Sequence, residues 1–569
     1  MRNKSIDNAV AWLLVVASAF VALLLSTSSN VDPVNVPKML VMAPFAYAAM
    51  ALTLSQWRVL LTREVRWVTI FTGLFFLAMI ASLISSNAPM SQLLFGTFGR
   101  NTGLLTYLSL LFMFFSTALV RTEDFPRKLI KSLMFVGIVN VFYGVLQLTN
   151  NDPLPWNNTY HTILGTFGNP DFVSAFLGIT VVVSLALLSA KSAGWKQRCA
   201  YLAYIVLTLF EIKKSHAIQG FAVTVIGFAV VGFFLVRSRF KSMWATISYS
   251  ALVGVVGFVA LLGALQKGPL AHVIYKVSIS LRGEYWAAAI NTTKSHPLFG
   301  VGMDSFGDWY RRERRPSAIG LPGVNTVVNT AHNVFLDMAA NGGLFLLISY
   351  VLILSLGAIA IVRAVRRTRD FDATFVAIVA SWIAYQAQSV ISINQIGVAI
   401  WGWVLTGALI SYEINIRSKI SPVQSPQPSR SKGRAKVASQ SMPASSVLLA
   451  SAAGIIGLMV CLPAFVADSH MFTALNSQKI EVLQKAALAW PKDSQRLNSA
   501  AQTLIQNSFN EPALVLVREA VKFNPDNFDS WNLIYGISLQ TPIPESEKAE
   551  ALMRMKELDP LNPNLKNLK

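Results

Sequence analysis

Charged residues are scarce. They make up 13% of this 569-residue chain, where a soluble protein of that length carries roughly a quarter. So little charge cannot cover a water-facing surface, which excludes a soluble globular protein. Cysteine is nearly absent: Cys199 and Cys461 fall at or inside apolar stretches, far apart, and match no disulfide or metal-ligand spacing. They read as small hydrophobes. There is no Walker A sequence, no HExxH and no Cys/His cluster. ATPase, zinc-protease and metal-site readings therefore have no support, and no cofactor is expected. Acidic and basic residues are almost missing from the interiors of the apolar runs. Ion-coupled transporters rely on such buried groups, which disfavours a lipid or polysaccharide transporter.

What the chain does have is apolar length. Hydrophobic residues reach 53%, and runs of about 17 to 25 residues are long enough to cross ~30 Å of hydrocarbon. Thirteen such stretches lie near 9–25, 39–55, 67–85, 104–120, 130–148, 172–190, 199–212, 217–236, 243–265, 334–362, 373–392, 396–413 and 446–467. The expected fold is an all-α polytopic membrane protein of about 12–13 spans. The first stretch is long for a cleaved signal and is followed by further spans, so it reads as an uncleaved helix.

The net charge of +20 is a matter of topology and does not imply a nucleic-acid partner. With the N-terminus in the cytoplasm, 25 lysines and arginines fall in inside segments. Four (Lys38, Arg100, Lys213 and Lys214) fall in short outside loops. Lysine and arginine bias of this kind sets orientation, and it places the long polar loop 266–331 outside a cytoplasmic membrane. Residues 414–445 are rich in Ser, Pro, Lys and Arg and read as a flexible cytoplasmic linker between a membrane domain (1–413) and one more span (446–467). The tail 468–569 then faces outward. Its prolines at Pro491, Pro525 and Pro560 punctuate amphipathic segments at a period near 34, similar to a tetratricopeptide repeat. About two repeats are too few to stand alone. The tail is expected to lean on the membrane domain or on an envelope protein partner.

Polar, motif-like sequence gathers at outward-facing helix ends. FGTFGRNTGLLTY carries Arg100, LGTFGNPDF carries Asn169, and the turn EIKKSHAIQG carries Lys213, Lys214, His216 and Gln219. In the long loop, SLRGEYW carries Arg282 and is followed by HPLFGVGMDSF and by the run WYRRERRP, with Arg311, Arg312, Arg314 and Arg315. AHNVFLDMAANGG closes the loop with His332 and Asn333, and SINQIGVAIWGW lies in a later turn. Taken singly, each segment is equally consistent with a shaped turn. Their joint sidedness points to chemistry in water beside the bilayer.

The order GTFGR-x-TGLL, GTFGNP, R-x-x-x-W with HPLFGVG, then HN-x-x-L with GGL resembles the superfamily of O-antigen ligases, O-antigen polymerases and O-linked oligosaccharyltransferases. The likeness covers roughly residues 10–413. It implies a GT-C-type membrane glycosyltransferase, ligase or polymerase, that uses no nucleotide sugar and no metal. The donor would be a glycan on a polyprenyl pyrophosphate, and the acceptor a glycan, lipid or protein outside the membrane. Arginine suits the leaving pyrophosphate, because guanidinium binds phosphate oxygens in bidentate fashion and stays charged. Arg282 leads, assisted by Arg100 or the Arg311–Arg315 run, which reads equally as a contact to lipid headgroups. His332 suits the base, since an unperturbed imidazole titrates near neutrality; a helix-capping role is its alternative. For Arg282 the alternative is an ion pair with Glu284. Asn333 either orients the acceptor or starts the helix. Asn169, Lys213, Lys214, His216 and Gln219 complete the expected substrate-binding set. One departure stands out: relatives of the ligase type carry arginine after serine in the turn where Ser215 is followed by His216. The remaining rivals are a transporter and a non-catalytic envelope assembly scaffold.

Overall fold

The computed structural model describes residues 3–155, 158–420, 441–477, 479–566 and 568. It is all-helical, with no strand among the described residues, and every one of the thirteen apolar stretches forms a helix. In the first half these are α1 (Lys4–Leu23), α2 (Asn35–Leu54), α3 (Arg66–Ser85), the short α4 (Met90–Phe95), α5 (Leu104–Leu119), α6 (Phe125–Leu148), α7 (Pro170–Leu188), α8 (Trp195–Lys214), α9 (Ile218–Phe240) and α10 (Met243–Ala264). The long polar loop is itself largely helical, with α11 (Ala271–Ile274), α12 (Val277–Ser295) and α13 (Phe306–Glu313). The bundle resumes with α14 (Val334–Arg367), α15 (Ala373–Ser389), α16 (Ile396–Ile420) and α17 (Ala444–Ser477). The tail holds α18 (Ile480–Ala487), α19 (Ser494–Gln506), α20 (Asn510–Phe523), α21 (Phe528–Ser538) and α22 (Glu545–Leu558).

Ten of these helices are long and apolar enough to cross a membrane, and α5 is a shorter apolar helix. The molecule is a polytopic membrane protein. Hydrocarbon offers backbone groups no partner, so the chain satisfies them within helices. Its burial pattern orders the bundle. The most apolar window of α16 is 94% buried, whereas that of α10 is 6% buried. Helix α16 is thus the hub, packed against α1, α5, α14 and α15, while α10 leans on α9 at the rim. α17 lies along α2, where small residues let the backbones approach. Both ends of the linker expected at 414–445 are helical, since α16 continues to Ile420 and α17 starts at Ala444. Residues 421–440 lie outside the described residues.

Helix starts follow the sequence signals. Asn3, Asn169, Asn333, Asp372, Asp493 and Asn527 each accept a hydrogen bond from a first-turn backbone N–H, the satisfaction that side-chain caps supply. Lys38 corrects its assignment to an outside loop. It sits in the first turn of α2, fully buried, and its Nζ donates to the carbonyls of Val21, Ala22 and Leu24 at 2.8–3.1 Å. A cation there caps the carbonyl end of α1, where the helix dipole is negative.

α14 is broken at Gly343, whose φ of 68° and ψ of −175° are not helical. The HPLFGVG segment runs against this break. Leu344 N donates to Pro297 O, Val301 N to Ala340 O and Gly302 N to Asn341 O. A Cβ at Gly343 would lie 2.2 Å from the Leu298 carbonyl oxygen. Two motifs 40 residues apart in sequence are therefore stitched together by backbone, and only glycine fits the seam.

The tail has its own apolar core, which includes Leu497, Leu504, Val517, Trp531 and Met555. Two helical pairs, α19–α20 and α21–α22, pack in sequence and end at Asn524-Pro525 and Asp559-Pro560. They lean on the same chain's loop segments. Trp490 packs edge-on to Phe95 at 5.6 Å, Ser91 Oγ donates to Lys492 O at 2.7 Å, and Phe98 N donates to Asp493 Oδ2 at 3.1 Å.

Candidate active site

Arg100 is presented by the turn Gly96–Gly103, and the turn is held by a buried carboxylate. Asp304, four residues beyond Gly300 in the HPLFGVG segment, accepts from Thr97 N at 2.8 Å and Thr102 N at 3.2 Å through the same Oδ2. Asn35 ties the turn to α2, its Nδ2 donating to Gly99 O at 2.9 Å. Among the described residues the Arg100 guanidinium has no hydrogen bond or ion pair. It lines a recess with Asn35, Tyr107, Asp304, Asp337, Asn394 and Gln395. Asn394 is itself fixed: it accepts from Tyr385 Oη at 2.9 Å and donates to Tyr107 Oη at 3.2 Å.

His332 adjoins this recess between Thr330 and Asp337, which both line it. Asp337 Oδ1 accepts from Ala331 N at 2.6 Å, and this bond holds the turn in which His332 takes a φ of 52°. The imidazole lies 5.4 Å from the Tyr285 ring, and its Nδ1 faces the Thr330 carbonyl at 3.3 Å. Burial pushes its pKa down to about 4; the Thr330 carbonyl opposes this, and the positive charges of Arg100 and Arg282 add to it. At neutral pH the ring is uncharged and accepts a proton.

Arg282, one turn before Tyr285 on α12, is 9% exposed. Its nearest carboxylate is Asp171 at the start of α7, at 3.7 Å. Glu284, the partner considered from sequence, instead accepts from Ser317 at 2.9 Å. Arg282 Nε is buried without a partner, which leaves the guanidinium short of its donor capacity. Arg100 and Arg282, from two separate segments, thus both act electrostatically on His332, although of the three only Arg100 lines the recess. A wider groove of about 580 Å³ shares Asn35, Arg100 and Gln395 with the recess and runs past Tyr160, Asn169 and Phe172 to Phe472 of α17.

Other expected site residues fall elsewhere. Asn333 is a helix cap, its Oδ1 accepting from Phe335 N and Leu336 N. Asn169 caps α7 with its oxygen and donates to Tyr160 Oη at 3.2 Å, on the wall of the groove. Lys213, Lys214 and His216 are exposed on the α8–α9 turn and line neither cavity; Gln219 beside them is buried. The arginine run is corrected most sharply, because its cations are met by the tail. Arg314 and Asp559, both fully buried in their side chains, pair at 2.6 Å. Arg311 reaches the same Asp559 at 3.2 Å and Asp529 at 3.4 Å, and Arg312 reaches Asp526 at 2.8 Å. Only Arg315 of the four is exposed. Asp304, Asp337, Asn35 and the Asn394-Gln395 pair were not singled out from sequence. The quoted motifs contained all but Asn35; Asp304 is tied to a turn 202–207 residues away, and the bond from Ala331 to Asp337, though local, follows no periodicity.

A comparison with curated proteins finds no match. The family profile described as O-antigen ligase matches residues 200–351, the stretch that runs from α8 through the kink of α14. The chain is thus similar to the O-antigen ligases over the segment that contributes Arg282, Asp304, His332 and Asp337 to the site.

Proposed function

We propose that the protein is a membrane glycosyltransferase that moves a glycan from a polyprenyl-pyrophosphate carrier to an acceptor hydroxyl on the outer face of the cytoplasmic membrane. The observation that carries this reading is a half-buried imidazole held uncharged under the influence of two arginines whose donors are not used up by the protein. In this reading the N-terminus is cytoplasmic, and loop 266–331 and the tail face outward. The groove between α2, α7 and α17 admits the carrier, whose pyrophosphate meets Arg100 and Arg282. His332 takes the proton from the acceptor hydroxyl as its oxygen bonds to the anomeric carbon. The bond from that carbon to the pyrophosphate oxygen breaks, and the electron pair leaves on an anion that the two guanidinium groups stabilise. The bound donor's negative charge offsets the arginines' effect on His332, making the imidazole a stronger base when it is needed. With fixed cations at the leaving group, a chelator leaves the rate unchanged.

The test is transfer by purified protein supplied with a polyprenyl-pyrophosphate glycan, followed as carrier release and product mass. Replacing His332 or Arg282 by Ala is expected to lower kcat by about 10²–10⁴ with normal membrane insertion. Transfer unchanged by both substitutions would remove these residues from the chemistry, and no transfer by the unsubstituted protein would leave the assembly scaffold as the better reading.

A further inference from the structure

A second cavity, of about 440 Å³, shares no lining residue with the Arg100 recess, touches the Gly96–Gly103 turn at Thr97, and lies between loop 266–331 and the tail. One wall is a face of α19. Gln495, Ser499 and Gln502 recur there at helical spacing, all exposed, and among the described residues their side chains make no hydrogen bond. Asn329 faces them from the loop with its amide equally free. The charged groups in the same cavity are already satisfied. Asp308 accepts from Gln92, Asn524 and Asn527, Arg311 is paired with Asp559 and with the half-exposed Asp529, and Asp493 accepts from Phe98 and Arg496 backbone N–H groups.

What remains open is a set of uncharged amides and a hydroxyl, each able to donate and accept. No unpaired cation awaits a phosphate, and no strand edge is offered to a peptide among the described residues. Neutral groups that both donate and accept match the vicinal hydroxyls of a sugar chain. We infer that this cavity binds an uncharged stretch of oligosaccharide several sugars away from the bond being made or broken. The inference rests on the proposed glycan transfer for the source of that chain. The carrier-linked donor and the free acceptor present the same hydroxyl chemistry to the cavity.

The experiment places p-benzoylphenylalanine at Gln502 in full-length protein, in the wild type and in the His332→Ala background. Two probes are irradiated with it: the carrier-free surface polysaccharide of the producing cell, and the lipid-linked glycan. Peptides from α19 are then weighed. Expected are adducts in steps of sugar mass, from the free chain if the acceptor occupies the cavity and from the lipid-linked probe alone if the donor does. Changing Gln495 and Ser499 together to Ala should reduce the yield, and should raise KM for long glycans roughly tenfold with little change in kcat. Absence of sugar adducts from both probes, or adducts with protein instead, overturns the inference even if transfer proceeds normally. Adducts formed by a protein that transfers nothing would uphold the cavity and remove only the enzymatic reading.

Discussion

His332 is where the chemistry is most exposed to test, because its environment sets its charge. Its pKa of about 4 lies below the usual 6.5, so the imidazole is the available base across the neutral range. The acid limb of kcat/KM should therefore fall well below pH 6.5, and a pH–rate profile on purified protein measures it. Arg100→Gln removes one of the charges that hold the value down, so it should move that limb upward while also weakening donor binding. The stability sign follows. The unfolded ring takes up its proton as pH falls through 6.5, the folded ring only near 4, so this group costs stability progressively on acidification between those values. Thermal unfolding at pH 7 should be insensitive to His332→Ala through this route. At this scale the sequence was only half legible. Arg100, Arg282 and His332 sit in recognisable motifs, and both arginines act on the His332 imidazole. Asp304 and Asp337, which hold their turns, work through hydrogen bonds to backbone, and periodicity does not register those.

Among the elements, the helices were legible and their irregularities were not. Hydropathy alone marks a span, since apolar length is what a bilayer selects. The break in α14 needs knowledge of the segment that lies against it. Gly343→Ala should introduce roughly 1–3 kcal/mol of backbone strain, besides the clash of its Cβ with Leu298 O. The expected outcome is a lowered unfolding temperature in detergent together with loss of transfer, because the HPLFGVG segment also carries Asp304 and with it the Arg100 turn. The arginine run gives the opposite lesson. Four cations in five residues look like a binding surface until Asp559, 245 residues further on, is seen to occupy two of them.

For the molecule as a whole, that pairing decides how the tail is held. Removing one partner of a buried ion pair leaves a stranded charge and costs about 3–5 kcal/mol. Asp559→Ala should therefore loosen the tail from loop 266–331, read as faster proteolysis between α17 and α22. Replacing Arg311, Arg314 and Asp559 together by apolar residues of similar size should recover much of the loss. Composition sets the tail apart, and the structure builds it from helices α18 to α22. Its second seat, on α4 and the Gly96–Gly103 turn, was hidden, because the contacts join Ser91 to Lys492 and Phe98 to Asp493, groups with no common pattern.

Those clasps have a consequence for biosynthesis. The turn bearing Arg100 is laid down early, yet the carboxylate of Asp493 that grips it is translated almost 400 residues later. Until the ribosome has delivered the last helices, the pocket is unfinished. A chain cut short before α19 lacks the Asp493 carboxylate, so the turn that presents Arg100 is left without one of its holds.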